Sequence, residues 1–455
     1  MRPFALRSLA LSSLLLAASG LAATRPQYDG ILHVTTHIAP TSLDPADNTQ
    51  PDSVARRNLT VLLFDTLVVS NARGRLAPAL AASWQAEPGN QRWSFLLRRN
   101  VKFHDGSPLT ADAVAASLRA GNPTWKVYAQ ADSVIIERDA PAPELAADLA
   151  RPRNAIVKRE GKLLSGTGPF RVSSFTPGKH LTVAANEDSW DGRPYLDTIE
   201  VDLGRCGRDQ LVSLESARSD LAEVTPDQTA RATLGSRHVL TSQPIEFVTL
   251  VFQRDPQSAD DRNLRSALAL SVDRASIRQV ILQSSGDPTG ALLPNWISGY
   301  AFVFPSTQNL PLARQKRSEV RQTPAWTIAY DSSDPFTELV AQRIILNAKD
   351  AGLTLQPSSS ATPDLRLTRL TVDSADPRLP LATIASQLNL PAPKLLNASS
   401  ESLYQAENAA LQGQRVIPLF YLPVRYALGA QVHNASLSLV GATQLADVWL
   451  GAQAP

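Results

Sequence analysis

Two kinds of hydrophobic periodicity run along the chain. Trp93, Phe95 and Leu97 alternate with other side chains, and a period of two predicts a strand with one buried face. Apolar residues recur every three or four positions over 263–282, which predicts a long amphipathic helix. The same patterns predict helices over 53–69, 111–118, 210–219, 336–350 and 401–411, and strands within 28–45, 165–172, 181–185, 199–203, 246–253, 326–330, 353–356 and 416–426, the last as a pair of strands around Pro418 and Pro423. Helices and strands alternate through the second half, as in an α/β protein.

Polar and glycine residues mark the ends of several predicted helices. Asp52 or Ser53 can accept the free N–H groups at the start of the first helix, and Thr110 can do so for the second. Gly352 follows the helix over 336–350, where a glycine commonly closes a helix. Residues 74–84 show neither period clearly, so we expect a loop that ends in a short buried stretch.

The N-terminus has the order of a secretory signal peptide. Arg2 and Arg7 precede a short apolar run over 9–18, and Gly20 and Ala22 provide small residues for cleavage after Ala22. The apolar run is shorter than the roughly 20 residues that a membrane-spanning helix needs. We therefore expect export to the periplasm. With 455 residues and 43% hydrophobic residues, the chain exceeds the size of one core, so two or three domains are expected.

Charge and cysteine content argue against a nucleic-acid-binding protein and against a disulfide-stabilised fold. The 44 basic and 42 acidic residues nearly balance, so no basic stripe for a nucleic-acid partner is expected. Cys206 is the single cysteine, which excludes an intrachain disulfide. The neighbouring Arg205 and Arg208 would favour its thiolate, yet no base is assigned to it, and its role stays open.

Six stretches, taken in order along the chain, are similar to segments of one known family. The most specific runs over 93–98 and 101–114, with the residues Phe103, His104, Asp105 and Gly106 at its centre. The other stretches are 43–45, 63–68 with 76–84, 166–170 with Asn186 and Trp190, 262–277, and 416–421. Together they resemble family 5 of the bacterial extracellular solute-binding proteins, which includes the oligopeptide-, dipeptide- and nickel-binding periplasmic receptors of ABC importers.

The resemblance implies an α/β fold like that of the type II periplasmic binding proteins, with two lobes, a hinge and a small extra domain. After the predicted signal peptide at 1–22, it implies lobe I at 23–50, 163–243 and 419–455, the small domain at 51–162, and lobe II at 244–418. Strands near Phe247 and Leu419 would cross between the lobes as the hinge. A monomer would close its lobes around a solute and then dock on an ABC permease with its ATPase subunits.

Residue patterns for catalysis or metal binding are weak. His104 and Asp105 are adjacent, so in an extended chain they point to opposite faces, and scaffold roles are expected. His33 and His37 would lie about 13 Å apart on a strand, too far to share a metal ion. Residues 166–168 lack the Lys and Ser/Thr of a phosphate loop, and no Gly-x-Ser-x-Gly elbow occurs. We expect a binding protein that is not an enzyme and has no cofactor or metal cage, although a metal ion inside a small chelator stays open as cargo.

Three residues are candidates for ligand contact. In the peptide-binding family an Asp of an Asp-x-x-Asp-Pro segment holds the ligand's amino terminus, and the matching residue here is Asp373, followed by Asp376 and Pro377. A buried carboxylate paired with a ligand cation is physically sensible, because an unpaired one is costly. The aromatic and glycine residues that usually precede this motif are missing. Trp296 and Tyr300 follow the long helix and would form an aromatic wall of the cleft, with ordinary packing as the alternative.

Three functions compete. The first is an import receptor for peptides or similar small solutes. The second is a sensory or interaction protein of the same fold that has lost peptide binding, which the shortened segments 119–164 and 376–404 and the altered Asp motif motivate. The third is a secreted hydrolase, for which the sequence offers no nucleophile and base. Peptide binding, binding of a membrane protein, and release of a product would distinguish them.

Overall fold

The structure is a computed structural model that describes residues 26–451 except 162, 333, 394 and 396. The predicted signal peptide at 1–22 lies outside the described residues. The strands of the described part are β1 (Ile31–Thr35), β2 (Val68–Ser70), β3 (Leu76–Pro78), β4 (Ala81–Ala86), β5 (Arg92–Leu97), β6 (Lys126–Gln130), β7 (Ser133–Glu137), β8 (Lys158–Glu160), β9 (Leu163–Ser165), β10 (Phe170–Thr176), β11 (His180–Ala185), β12 (Thr198–Asp202), β13 (Leu221–Glu223), β14 (His238–Phe252), β15 (Asp287–Pro288), β16 (Ala325–Ala329), β17 (Thr354–Pro357), β18 (Leu365–Thr371), β19 (Val416–Leu428), β20 (Val432–His433), β21 (Ser436–Leu437), β22 (Thr443–Gln444) and β23 (Trp449–Leu450).

The helices connect these strands. They are α1 (Val54–Leu63), α2 (Ala111–Gly121), α3 (Leu145–Asp148), α4 (Gly207–Glu215), α5 (Thr229–Ala232), α6 (Ala259–Ser271), α7 (Arg274–Ser276), α8 (Asn295–Ser298), α9 (Leu310–Ser318), α10 (Pro335–Asp350), α11 (Arg378–Gln387) and α12 (Ser400–Gln412), with a π-helical turn at Ile277–Ile281 and 3₁₀ turns at Pro152–Asn154, Pro226–Gln228 and Ala301–Val303. Among the described residues, we find no helix with the length and apolar character of a membrane span.

One mixed sheet joins both halves of the chain. Its strands follow the order β10-β11-β12-β1-β13-β19-β14-β18-β16-β17, and β15 pairs with β19. β1 pairs in parallel with β12 and β13, whereas the long central strands β14 and β19 run antiparallel to each other. β19 reaches β13 at one end, and β14 reaches β18 at the other. These two strands contain the predicted crossing residues Phe247 and Leu419, and their register is irregular around Pro244.

Separate hydrophobic cores flank this central pair of strands. We call the part around Leu32, Phe170 and Leu428 the first lobe, and the part around Phe247 and Phe420 the second lobe. A further core, which contains Phe95 and Val114, belongs to β4–β7 and α2, and we call this part the small domain. Burying each such phenylalanine contributes roughly 1.5–3 kcal/mol. The domain boundaries given above stay predictions.

Local signals place several helix ends. Ser53 accepts a hydrogen bond from the N–H of Arg56, and Thr110 accepts one from Ala113, so both caps form as the sequence predicts. Gly352 follows α10 with φ of +78°, a left-handed conformation that glycine adopts without strain.

Several predicted elements differ from the structure. The helix over 53–69 ends at Leu63, and residues 68–70 form β2. The helix over 263–282 begins earlier, at Ala259, and breaks after Ser271, because Asp273 caps a new turn by accepting the N–H of Ser276 at 2.9 Å. Residues 76–78 and 81–86 form β3 and β4, where a loop was predicted. Residues 416–428 form one strand, β19, where a pair of strands was predicted. Pro418 and Pro423 had indicated a break, because proline cannot donate to the hydrogen bonds of a sheet.

Candidate functional site

The end of β18 meets the first part of the chain. Alternation along the strand turns Leu370 toward the second-lobe core, while Thr371 faces the other way and is followed two residues later by Asp373. Arg57 from α1 and Arg151 from the small domain reach these two residues. We call this contact, between segment 371–383 and the two arginines, the seam.

Asp373 forms a buried ion pair at the seam. The Nε of Arg151 donates to Asp373 Oδ2 at 2.6 Å, and its Nη2 donates to the same oxygen. Only 3% of the Asp373 side chain and 4% of the Arg151 side chain are exposed. The other carboxylate oxygen, Oδ1, is buried and has no hydrogen-bond partner in the described part of the chain. A buried polar atom without a partner costs about 1–3 kcal/mol, so Oδ1 is suited to a donor from a ligand.

Arg151 also contacts residues on both sides of the seam. Its Nη1 donates to Asp148 Oδ1 at 3.1 Å within the small domain. Its Nη2 donates to Thr383 Oγ1 of α11 at 3.1 Å, in the second lobe. The planar guanidinium therefore binds both parts of the molecule at once.

Arg57 makes the second set of contacts across the seam. Its side chain pairs with Asp52, through Nε to Oδ1 at 3.0 Å and through Nη2. The same guanidinium donates to Thr371 Oγ1 and to the carbonyl oxygen of Val372, both at 2.9 Å. Burial lowers the pKa of Arg57, but the charges of Asp52 and Asp373 and the hydrogen bond to Asp52 together outweigh it, so this pKa is raised and the charge persists.

The predicted ligand role of Asp373 is not tested by this geometry and stays a prediction. The sequence did not indicate that Arg151 would supply a cation from inside the chain. A ligand ammonium at Asp373 would have to bind beside this guanidinium, at Oδ1, or displace it from Oδ2.

Trp296 and Tyr300 lie in one apolar cluster with Val372, which precedes Asp373, and with Val54 of α1. The hydroxyl of Tyr300 donates to Glu407 Oε2 at 2.9 Å. The indole N–H of Trp296 donates to the carbonyl of Pro244 at 2.8 Å, at the irregular position of β14. Both polar groups are thus bound within the second lobe and hinge, and the predicted contact of these rings with a ligand stays a prediction.

Glu407 is a buried carboxylate that our reading of the sequence missed. It is fully buried, and Oε1 accepts the N–H groups of Leu292 and of Leu293, the latter at 2.9 Å. Burial raises its pKa to about 7, although the hydrogen bonds from Leu293, Tyr300 and Leu292 oppose this rise. The sequence did contain an indication of this burial, because Glu407 lies on the same buried face of α12 as Leu403 and Ala410.

A second polar pair borders the first lobe. The backbone N–H of His37 donates to Glu223 Oε2 at 2.9 Å, and its ring Nδ1 lies 2.6 Å from the same oxygen. The hydrogen bond to Glu223 raises the pKa of His37, and the charge of Glu246 in β14 adds to it while Arg369 opposes it. Glu246 and Arg369 pair at 2.6 Å, so ionic pairs of both lobes lie within electrostatic reach of each other.

The other motif residues have structural surroundings. His104 lies with Nε2 3.0 Å from the carbonyl of Gly168, and Asp105 pairs with Lys158. A Cβ on Gly166 would lie 1.9 Å from the carbonyl of Leu63, so only glycine fits this turn.

The remaining histidines and the cysteine are dispersed. His33 lies 3.3 Å from Glu200, and His180 lies 3.1 Å from Asp202. Cys206 is exposed. Among the described residues, no group of three or more His, Cys, Asp or Glu could hold a metal ion.

Comparison with known proteins gives consistent matches. The family model described as "Bacterial extracellular solute-binding proteins, family 5 Middle" matches residues 75–376. The nickel-binding protein NikA of Staphylococcus aureus is 26% identical over 240 residues, which cover 49% of this chain and 49% of that protein. The oligopeptide-binding protein AppA of Bacillus subtilis is 23% identical over 330 residues, covering 66% of this chain and 60% of that protein. This chain thus spans about half to three fifths of the length of these relatives.

Solved structures establish the fold. The dipeptide-binding protein of Pseudoalteromonas sp. SM9913, in complex with Met-Leu, matches with a TM-score of 0.79 at 17% identity, over 92% of this chain and all of that one. The predicted α/β fold of the type II periplasmic binding proteins is therefore confirmed. Because the family model covers more than half of the sequence, the resemblance drawn from the motifs is confirmed as well: the chain belongs to family 5 of the bacterial extracellular solute-binding proteins.

Proposed function

We propose that this chain is the substrate-binding receptor of an ABC importer for peptides or similar small solutes. It binds its cargo between the two lobes and returns it chemically unchanged. Its partners are a membrane permease and the associated ATPase subunits, and its compartment is the periplasm, reached through the signal peptide at 1–22. Membership of family 5 supports this proposal at the level of the class of protein.

One observation carries the assignment of the binding position. Asp373 lies where both lobes and the small domain meet, and its Oδ1 is buried without a hydrogen-bond partner in the described residues. An N–H donor of a peptide-sized ligand would satisfy this oxygen and remove its desolvation cost. The rings of Trp296 and Tyr300 belong to the adjoining apolar cluster, and we propose them as the wall against which ligand side chains pack.

The relatives leave peptides and nickel as alternatives for the cargo. One relative is named a nickel-binding protein and another an oligopeptide-binding protein. The described residues contain no cluster of metal-binding side chains, which favours cargo held by hydrogen bonds and apolar contact. A metal ion would enter this cleft inside an organic chelator, whose own atoms supply the ligands.

Thermal unfolding in the presence of candidate cargo tests the proposal. The purified protein is heated with di- to pentapeptides, with Ni²⁺ alone, and with Ni²⁺ and free histidine. A ligand at 100 times its Kd adds about 2.7 kcal/mol of stability and raises Tm. We expect a shift with peptides, loss of that shift in Asp373→Asn, and its retention in Asp132→Asn, since Asp132 is exposed and pairs only loosely with Arg99 at 3.4 Å.

Two results would contradict this proposal. If no peptide or chelate shifts Tm and the protein instead captures another membrane protein, the chain is a sensory or interaction protein of the same fold. If mass spectrometry finds the peptide cleaved after incubation, the chain is a hydrolase.

A further inference from the structure

The contacts across the seam form a set that requires no cargo. Arg151 connects Asp148 of the small domain to Asp373 and Thr383 of the second lobe. Arg57 connects Asp52 to Thr371 in the same segment. The contacts with Thr371, Asp373 and Thr383 join segment 371–383 to residues that precede 163 in the chain.

A second ionic contact across the seam extends the set. The guanidinium of Arg378 in α11 lies 3.8 Å from Glu144 beside α3, and it also pairs with Asp376 through Nε at 2.9 Å. The second lobe thus offers a carboxylate, two hydroxyls, a carbonyl and a cation to the opposite surface. Electrostatic complementarity of this kind fixes how two surfaces meet.

Burial makes these contacts different from surface ion pairs. The guanidinium groups of Arg57 and Arg151 belong to side chains that are each only 4% exposed. Separating a buried pair exposes both charges to water again, whereas leaving one charge buried alone is costly. The two surfaces therefore have two favourable arrangements, fully joined or fully parted and hydrated, and few between.

We propose that Arg57 and Arg151 form an internal latch that holds segment 371–383 against α1 and the small domain when no cargo is bound. The latch goes beyond the proposed function, because it concerns the resting state of the lobes and not the ligand. Arg151 supplies the main connection through Asp373, and Arg57 supplies a second through Thr371 and Val372. The lobes part when both connections break.

Distance measurement between two labels tests the latch in the absence of ligand. One label is attached to Cys206, which is exposed and immediately precedes α4 of the first lobe, and the other to Gln342→Cys on the exposed face of α10 in the second lobe. The full chain is compared with Arg151→Gln, Arg57→Gln and the double variant. Arg231→Gln is the matched control, because Arg231 pairs with Glu215 inside the first lobe.

We expect one short-distance population in the unchanged protein and in the control. Each single variant should increase the ratio of long to short distances at least tenfold, and the double variant further. Thr371→Val and Thr383→Val each remove one hydroxyl that accepts from a guanidinium but leave the arginine–carboxylate pairs in place. They should shift the ratio about tenfold even if an arginine variant fails to fold. Identical distance distributions in the unchanged protein and in the valine variants would overturn the latch, while a shifted ratio together with failed peptide binding would overturn only the proposed function.

Discussion

Asp373 and Glu407 are both buried carboxylates of the second lobe, but their partners come from different places. Asp373 is paired with Arg151, which lies 222 residues earlier in the small domain. Glu407 accepts its hydrogen bonds from Leu292, Leu293 and Tyr300, all within the second lobe. One group joins two bodies that fold around separate cores, and the other fixes a loop inside one of them.

The difference teaches which parts of the molecule can move. A contact between separate cores can part while each core stays intact, and hinge motion uses such surfaces. A contact inside one core can part only if that core unfolds locally. We therefore assign movement to the seam and rigidity to the loop that carries Trp296 and Tyr300.

The largest expected effect follows from Asp373→Ala. This change removes the main counter-charge of the Arg151 guanidinium, which must then stay buried without it or become hydrated by parting the seam, so the free energy of unfolding should fall by up to about 3–5 kcal/mol. Urea denaturation monitored by circular dichroism measures it. Asp132→Ala removes an exposed pair and should cost less than about 1 kcal/mol; equal losses in the two variants would contradict the buried character of the seam.

Glu407→Gln should change the pH dependence of stability. The folded pKa of about 7 lies above the ordinary value of 4.5, so the folded state keeps a proton that the unfolded state releases. Stability from this group therefore falls as the pH rises from 4.5 to 7, by at most roughly 3 kcal/mol. The glutamine cannot titrate. The free energy of unfolding of the variant, measured by urea titration, should therefore rise relative to that of the unchanged protein as the pH increases from 4.5 to 7. A constant difference between the two from pH 4.5 to 8 would contradict the assignment.

Trp296→Phe should have a smaller, local effect. It keeps an aromatic ring but removes the hydrogen bond to the carbonyl of Pro244, at a cost of about 1 kcal/mol. Hydrogen exchange should accelerate at 242–247 of β14 and stay unchanged in β5 of the small domain. Unchanged exchange at 242–247 would show that the indole does not hold the crossing strand.

His37→Gln should have the smallest effect. The raised pKa of His37 contributes stability below pH 6.5 that is lost as the pH rises through the folded value, and the lowered pKa of Glu223 contributes stability above pH 4.5 that is lost as the pH falls. Because His37 is exposed, the variant should lose less than about 1 kcal/mol of its free energy of unfolding. Most of this loss should occur near pH 5 to 6, where both shifted groups are charged. A loss that is greater at pH 9 than at pH 5.5 would contradict the pairing.

Local chemistry explains what could be predicted from the sequence. Ser53 and Thr110 are helix caps, and a cap depends only on residues within a few positions. The overall fold followed from six motifs in order. The break before Asp273 was missed because the apolar period continues through it, although an Asp that can cap a new turn was visible.

The seam could not be predicted because its partners are distant in sequence. Nothing near Asp373 indicates Arg151, and nothing near Arg57 indicates Thr371. Only the packing of α1 and of the small domain against the second lobe brings these residues together. The burial of Glu407 was easier to predict from the sequence, since a charged residue between Leu403 and Ala410 on a buried helix face indicates a paired carboxylate.

Isothermal titration calorimetry tests the central claim most directly, using the peptide that raises Tm most. We predict saturable binding of one peptide per chain, at least tenfold weaker binding in Asp373→Asn, and an unchanged peptide mass afterwards. Equal affinity in the unchanged protein and Asp373→Asn, with both folded, would contradict a binding position at the junction of the lobes.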